Sequence, residues 1–211
     1  MKTLYVVRHG VTSENEQRIY SPEDAALSKE GQAQALTLQK RLAGIPLEVV
    51  YTSPLLRAKM TTEIVNKVLQ LPIEEDGLLV EWKKPTSLIG KSIHGEEDKK
   101  FKKAEFANRH DIDWKWEDEE SIKEAKDRVG RFLSKMKTIS QKSVLVVTHS
   151  FTLRMMLFEV LLGKDELNPN SQILKNASIK NTGVTIFRLQ DDTEDWQLLT
   201  WNDHTHLVEP L

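Results

Sequence analysis

Arg8-His9-Gly10 follows directly on the apolar run Leu4-Tyr5-Val6-Val7. A guanidinium and an imidazole therefore sit where a short strand ends, beside a glycine that lets the backbone turn sharply. Two later segments share this plan. Glu48 to Tyr51 runs into Thr52-Ser53-Pro54 with Arg57 beyond, and Val144 to Val147 runs into Thr148-His149-Ser150. Arg8 and Arg57 each offer a fork of donors suited to phosphate oxygens, and together they make a phosphate clamp. Two arginines beside two histidines disfavour the imidazolium form, which leaves His9 as an unprotonated nucleophile and His149 as an electrostatic donor to the transferring group. A leaving alkoxide needs a proton, and a carboxyl group in apolar company is suited to supply it. Glu81, beside Leu78, Leu79, Val80 and Trp82, is the candidate general acid.

The surrounding elements must bring these residues together. Ser28 is placed as the N-cap of a helix with Gly31, Ala35, Leu38 and Leu42 on one face. Ser53 and Pro54 read as the start of a second helix that runs to about Gln70. Ile73 to Glu75 reads as a short strand, while Leu78 to Val80 is left open by its pattern between strand and loop. Ser121 and Glu124 form a capping-box pattern ahead of Ala125, Val129, Phe132, Leu133 and Met136. Phe151 to Leu162 reads as a helix that stops at Gly163. Val184 to Leu189 and Trp196 to Trp201 read as a hairpin. Alternating strands and helices indicate a three-layer α/β/α sandwich with a mostly parallel central sheet and an antiparallel edge. In such sheets ligands bind beyond the carboxyl ends of strands, where His9, Ser53 and His149 all fall.

One stretch departs from this alternation. Residues 83–120 are dense in charge and hold Trp114 and Trp116, with one helix expected over Glu97 to Asn108. This segment reads as a cap-like insertion in a single domain spanning 1–211, covering the active site. It is either a surface excursion anchored by its tryptophans or a source of substrate contacts. Its cluster of Lys99, Lys100, Lys102 and Lys103 follows Glu96-Glu97-Asp98 and reads as a solvated helix face. His204 and His206, two apart, read as structural rather than metal-binding, and His94 and His110 as solvent-facing.

Composition limits the function classes. Of 211 residues, 39% are hydrophobic, enough for a substantial core. Lys and Arg number 30 against 32 Asp and Glu, for a formal charge of −2, so nucleic acid has no electrostatic case as a partner. With no cysteine there is no thiolate catalysis or disulfide framework. No apolar stretch approaches the roughly 20 residues of a membrane span. The chain opens without a signal peptide, so a cytoplasmic protein is expected. Oligomeric state is not encoded in any pattern here.

The ordered motifs resemble those of the histidine phosphatase superfamily, the phosphoglycerate mutase-like family. Arg8-His9-Gly10-Val11-Thr12 with Asn15 looks like its signature, and Leu27-Ser28 through Gly31 and Ala33 like its next segment. Ser53-Pro54-Leu55-Leu56-Arg57-Ala58 with Thr61 and Thr62 resembles its second phosphate-binding motif. Val147-Thr148-His149-Ser150 resembles its late histidine motif, with serine where glycine is commonest. Asn202-Asp203 with His206-Leu207 is similar to its C-terminal segment. The resemblance implies transfer of a phosphoryl group from a small phosphorylated substrate onto His9, without a metal or organic cofactor. It implies a pocket of Arg8, Arg57 and His149, Asn15 as a neighbouring contact, and Glu81 as proton donor. Glu81-Trp82-Lys83-Lys84-Pro85 lacks the Glu-Arg-His-Tyr-Gly type of sequence of glycolytic mutases, so hydrolysis of a phosphomonoester is expected over mutase transfer. The remaining alternative is a noncatalytic phosphate-binding module.

Overall fold

A computed structural model of the chain describes residues 1–163 and 176–207. Six strands form one sheet: β1 (Lys2–Arg8), β2 (Val49–Thr52), β3 (Ile73–Glu75), β4 (Ser143–Thr148), β5 (Val184–Leu189) and β6 (Trp196–Asp203). Their order is β3-β2-β4-β1-β5-β6. The first four run parallel, β5 pairs antiparallel with β1, and β6 antiparallel with β5. This is the expected mostly parallel sheet with an antiparallel edge.

Helices accompany the sheet: α1 (Ser13–Gln17), α2 (Lys29–Leu42), α3 (Leu56–Leu69), α4 (Glu96–Ala107), α5 (Ile122–Thr138) and α6 (Ser150–Leu162). Both faces of the sheet are covered because its inner strands are apolar on both sides. Leu4, Val6, Val144 and Val146 pack with Phe132, Met136, Met156 and Phe158 from α5 and α6. Val7, Val50, Leu145 and Val147 pack with Leu38, Leu42, Ala58 and Val65 from α2 and α3.

Several expected boundaries hold. Ser28 caps α2 by accepting from the Gly31 amide, Ser121 and Glu124 form a reciprocal capping box, and α6 stops at Gly163 with φ 69°. Three differ. The third helix begins at Leu56 rather than at Ser53-Pro54, because the Ser53 side chain is turned to another use described below. Leu78 and Leu79 belong to a 3₁₀ turn, Gly77–Leu79, capped by Asp76. The short α1, held by a capping box between Thr12 and Asn15, carries no hydrophobic period and was not expected.

The segment 83–120 holds a 3₁₀ turn at Thr86–Leu88 and then α4. It is tied to the loop after α1: the Tyr20 amide donates to Lys91 O at 2.9 Å, and the Tyr20 hydroxyl to buried Asp98 at 2.6 Å. Trp116 packs edge-on against Phe101. Lys99 and Lys102 pair with Glu96 and Asp98 along the helix face.

Two glycines let the loop after β1 meet the first turn of α2. A side chain on Gly10 would run into the backbone of Gly31, and one on Gly31 into the backbone of Val11.

Candidate active site

The sheet order makes β2, β4 and β1 neighbours, so their carboxyl ends lie side by side. Ladder bonds continue one residue past the strands: the His9 amide donates to Thr148 O at 3.0 Å, and the Ser53 amide to Val147 O at 3.0 Å. Arg8, His9, Ser53 and His149 are thereby fixed by backbone pairing before any side-chain contact is made.

His9 is 3% exposed, and its Nδ1 lies 2.7 Å from the carbonyl oxygen of Gly10. A carbonyl only accepts, so the neutral ring carries its proton on Nδ1 and keeps a lone pair on Nε2. Burial, then Arg57 and Arg8, drive its pKa well below 6.5, against the opposite pull of the Gly10 bond. The Gly10 amide donates to Thr61 Oγ1 at 3.1 Å, and that hydroxyl donates to Arg57 O at 2.8 Å, tying the loop to α3.

Two guanidiniums stand beside this ring. Arg8 donates from Nη1 to Ile179 O at 2.9 Å, and its Nε is buried without a partner among the described residues. Burial lowers its pKa to about 10, with Glu81 acting in the opposite sense, so it stays cationic at neutral pH. Arg57, in the first turn of α3, is 5% exposed and donates to Pro22 O at 3.1 Å.

His149 is fully buried, and its ring centroid lies 5.0 Å from that of His9. Its Nε2 is 2.8 Å from Ser53 Oγ, and Ser53 Oγ accepts from the Leu55 amide at 3.3 Å. If the Ser53 hydroxyl donates to Nε2, one buried group is left over, an Nδ1–H. With the reverse assignment both the hydroxyl hydrogen and Nδ1 are orphaned. Hydrogen-bond counting therefore puts the His149 proton on Nδ1, an atom with no partner among the described residues. Burial first, then His9 and the two arginines, hold its pKa well below 6.5.

Glu81 follows the 3₁₀ turn and meets the N-terminus of α6. Its Oε1 accepts from the amides of Trp82 at 3.0 Å, Phe151 at 3.1 Å and Thr152 at 3.3 Å. The apolar surroundings expected from sequence are replaced by backbone donors at the positive end of a helix. The segment before it is rigidly held: Arg128 donates from Nη1 to Leu78 O and Val80 O, both at 2.9 Å, and forms a two-pronged bridge to Glu120 at 2.7 and 2.8 Å.

Arg8, His9, Asn15, Arg57 and Glu81 all line one cavity of about 730 Å³. His149 lies behind it. Of the segment 83–120, Lys83, Lys84, Thr86 and Ile89 reach the cavity, whereas Trp114 and Trp116 do not line it. Trp82 stacks on Phe151 with centroids 4.3 Å apart, and Lys84 Nζ sits 3.2 Å from the centre of the Trp82 ring. Burial brings the Lys84 pKa down to about 8, with Glu105 and Glu119 pulling it upward. Among the described residues, no cluster of three or more His, Asp or Glu side chains is arranged to hold a metal ion.

Sequence reasoning missed three participants. Ser53 was read as a helix cap, yet its hydroxyl meets His149. Arg154, on α6, lines the cavity. Asn181 donates from Nδ2 to the carbonyl of His9 at 2.8 Å. The only sequence signal for the last was a polar residue just ahead of the strand that pairs with β1.

The model of the histidine phosphatase superfamily, branch 1, matches residues 4–204. The chain is 29% identical to the "uncharacterized phosphatase PhoE" of Bacillus subtilis, covering 98% of this chain and 97% of that one. It is 28% identical to the "probable phosphoglycerate mutase GpmB" of Salmonella arizonae, over 100% and 97% of the two chains. Among solved structures, Bacillus stearothermophilus YhfR superposes with a TM-score of 0.82 at 26% identity, covering 99% of this chain and 100% of that one.

Proposed function

Since the chain belongs to the histidine phosphatase superfamily, branch 1, we propose that it hydrolyses small phosphomonoesters through a phosphohistidine on His9. The observation that carries this reading is the Nδ1 bond of His9 to Gly10 O, which leaves Nε2 as a fixed lone pair between two arginines.

In the first step Nε2 attacks phosphorus as the bond to the leaving oxygen breaks. There is little covalent work for the protein in such a transfer, and rate comes from positioning and charge stabilisation. Arg8 and Arg57 bind the non-bridging oxygens, and the spare Nδ1–H of His149 donates to one of them. Glu81 passes a proton to the departing alkoxide. In the second step water attacks phosphorus, Glu81 takes its proton, and the P–N bond breaks to release orthophosphate and neutral His9. Asn15 contacts the substrate from α1. The whole apparatus belongs to one domain, and residues 83–120 cap it, with 83–89 shaping the pocket for the leaving group.

Hydrolysis is favoured over transfer to a second hydroxyl because Glu81 is followed by Trp82-Lys83-Lys84-Pro85 rather than the mutase-type sequence. The decisive experiment is a rapid quench of enzyme with a phosphomonoester labelled in its phosphoryl group. An acid-labile, alkali-stable phosphoenzyme is expected, absent in His9→Ala, with orthophosphate as product. An isomeric ester as product would replace the reading with mutase transfer. Phosphate binding with no phosphoenzyme on any ester would replace it with a noncatalytic module.

A further inference from the structure

Thr182 is fully buried and adopts φ 59°, a left-handed conformation rare for a β-branched residue. Such a conformation persists where its surroundings over-determine it. Here the Thr182 amide donates to Arg8 O at 2.9 Å, and its hydroxyl lies 3.2 Å from Nε2 of His206.

The direction of that second bond follows from the other side of the ring. Arg41 Nη1 lies 3.0 Å from His206 Nδ1, and a guanidinium only donates, so Nδ1 is an acceptor. The neutral imidazole then carries its proton on Nε2 and donates it to Thr182 Oγ1. Burial and Arg41 push the His206 pKa down to about 4, which keeps the ring neutral. Arg41 is itself locked on Asp203 by a 2.5 Å ion pair. The residues beside Thr182 are equally constrained: Asn202 Oδ1 accepts from the Lys180 amide at 2.9 Å, and Gly183 has no room for a side chain against Asn202.

This turn grips the two reacting residues. Ile179 O accepts from Arg8 Nη1, Asn181 Nδ2 donates to His9 O, and Thr182 N donates to Arg8 O. Neither Arg41 nor His206 lines the cavity. We propose that the relay Arg41–His206–Thr182 holds the turn Ile179–Gly183 in the conformation that aims Arg8 and His9, which makes His206 and Asn181 positioning residues. The proposal rests on the phosphoryl-transfer reading above for its kinetic consequence. Its effect on phosphate binding does not.

Full-length His206→Phe and His206→Gln separate position from bulk. Glutamine accepts from Arg41 and donates to Thr182 through one amide, whereas phenylalanine fills the space and does neither. For His206→Phe, kcat on p-nitrophenyl phosphate is expected to fall about tenfold or more, since small misplacements of reacting groups cost up to about 10²-fold. Calorimetric binding of inorganic phosphate is expected to weaken severalfold, with His206→Gln restoring both readouts to within about threefold of wild type. Wild-type kcat and phosphate affinity in a folded His206→Phe enzyme would overturn the proposal, as would equal impairment of both variants. Should His206→Phe not fold, Asn181→Ala is expected to lower kcat while KM stays within twofold, and an unchanged kcat there overturns it too. If wild-type enzyme cleaves no ester, the functional reading fails, and phosphate affinity in the same variants still decides whether the relay aims Arg8.

Discussion

Nε2 of His149 lies 2.8 Å from the hydroxyl of Ser53, across 96 residues of sequence. Both residues directly follow neighbouring strands, β4 and β2, and the parallel register Thr52↔Val147 sets them face to face. The contact decides which nitrogen of His149 is free, and so, on the proposed mechanism, whether the ring can donate to a bound phosphate.

Ser53→Ala removes the group that fixes this tautomer. The loss of one preorganised donor costs about 10²–10³ in kcat, and a ring that still samples the right form retains part of it. A fall of about 10–100-fold in kcat is expected, together with a lower melting temperature, since buried His149 Nε2 is left without a partner at a cost of about 1–3 kcal/mol. Steady-state kinetics beside a melting curve checks it.

Glu81→Gln keeps the acceptor toward the α6 amides and removes the transferable proton. General acid catalysis contributes about 10²–10⁴-fold, and the deficit should fall on esters of poor leaving groups. In kcat/KM, which reads the first step alone, alkyl phosphates are expected to slow by that range, while p-nitrophenyl phosphate, whose leaving group needs no proton, slows far less. Equal losses on both would remove Glu81 from the role of proton donor.

His9 and His149 are held neutral in the fold, with pKa values well below the 6.5 of an unfolded histidine. Below pH 6.5 the unfolded chain therefore binds more protons than the native one, and stability falls with pH. Each histidine contributes about 1.4 kcal/mol per pH unit in that window. Their contribution is fully present above pH 6.5 and is lost progressively as pH drops toward the folded values. Chemical denaturation between pH 7 and 5 should show this slope, to which neutral His206, with its pKa pushed down to about 4, adds a third part, so His149→Phe should remove about a third of it.

Gly31→Ala forces a methyl group against the Val11 backbone. Overpacking of this kind costs about 1–3 kcal/mol. The displaced part is the loop that carries His9, so a lower melting temperature is expected together with reduced turnover. Gly44→Ala, where a side chain meets open space, is the control.

The parts of the site that were legible in sequence are those where a buried strand ends. Continuous apolar runs that stop at Arg8-His9, Ser53 and His149 announce both the sheet and its active edge, because a parallel sheet covered on both faces needs such runs. What was illegible depends on partners far along the chain. Ser53-Pro54 has the local chemistry of a helix start, yet a hydroxyl with a histidine 2.8 Å away serves that partner, and α3 begins at Leu56. The chain setting of Asn181, Thr182 and His206 likewise carries no periodicity. Their roles arise where the antiparallel edge of the sheet meets β1.

One part of the cavity lining hangs from strand ends and is cross-braced by backbone bonds, whereas another is built from residues 19–23, 82–84, 86 and 89. On the proposed reaction, the bond that is broken and the alcohol that departs would thus be read by separate stretches of chain. If that reading holds, substitutions in the second part would retune which ester is accepted while the phosphorus chemistry is inherited intact, and the architecture would diversify in substrate without reinventing its reaction.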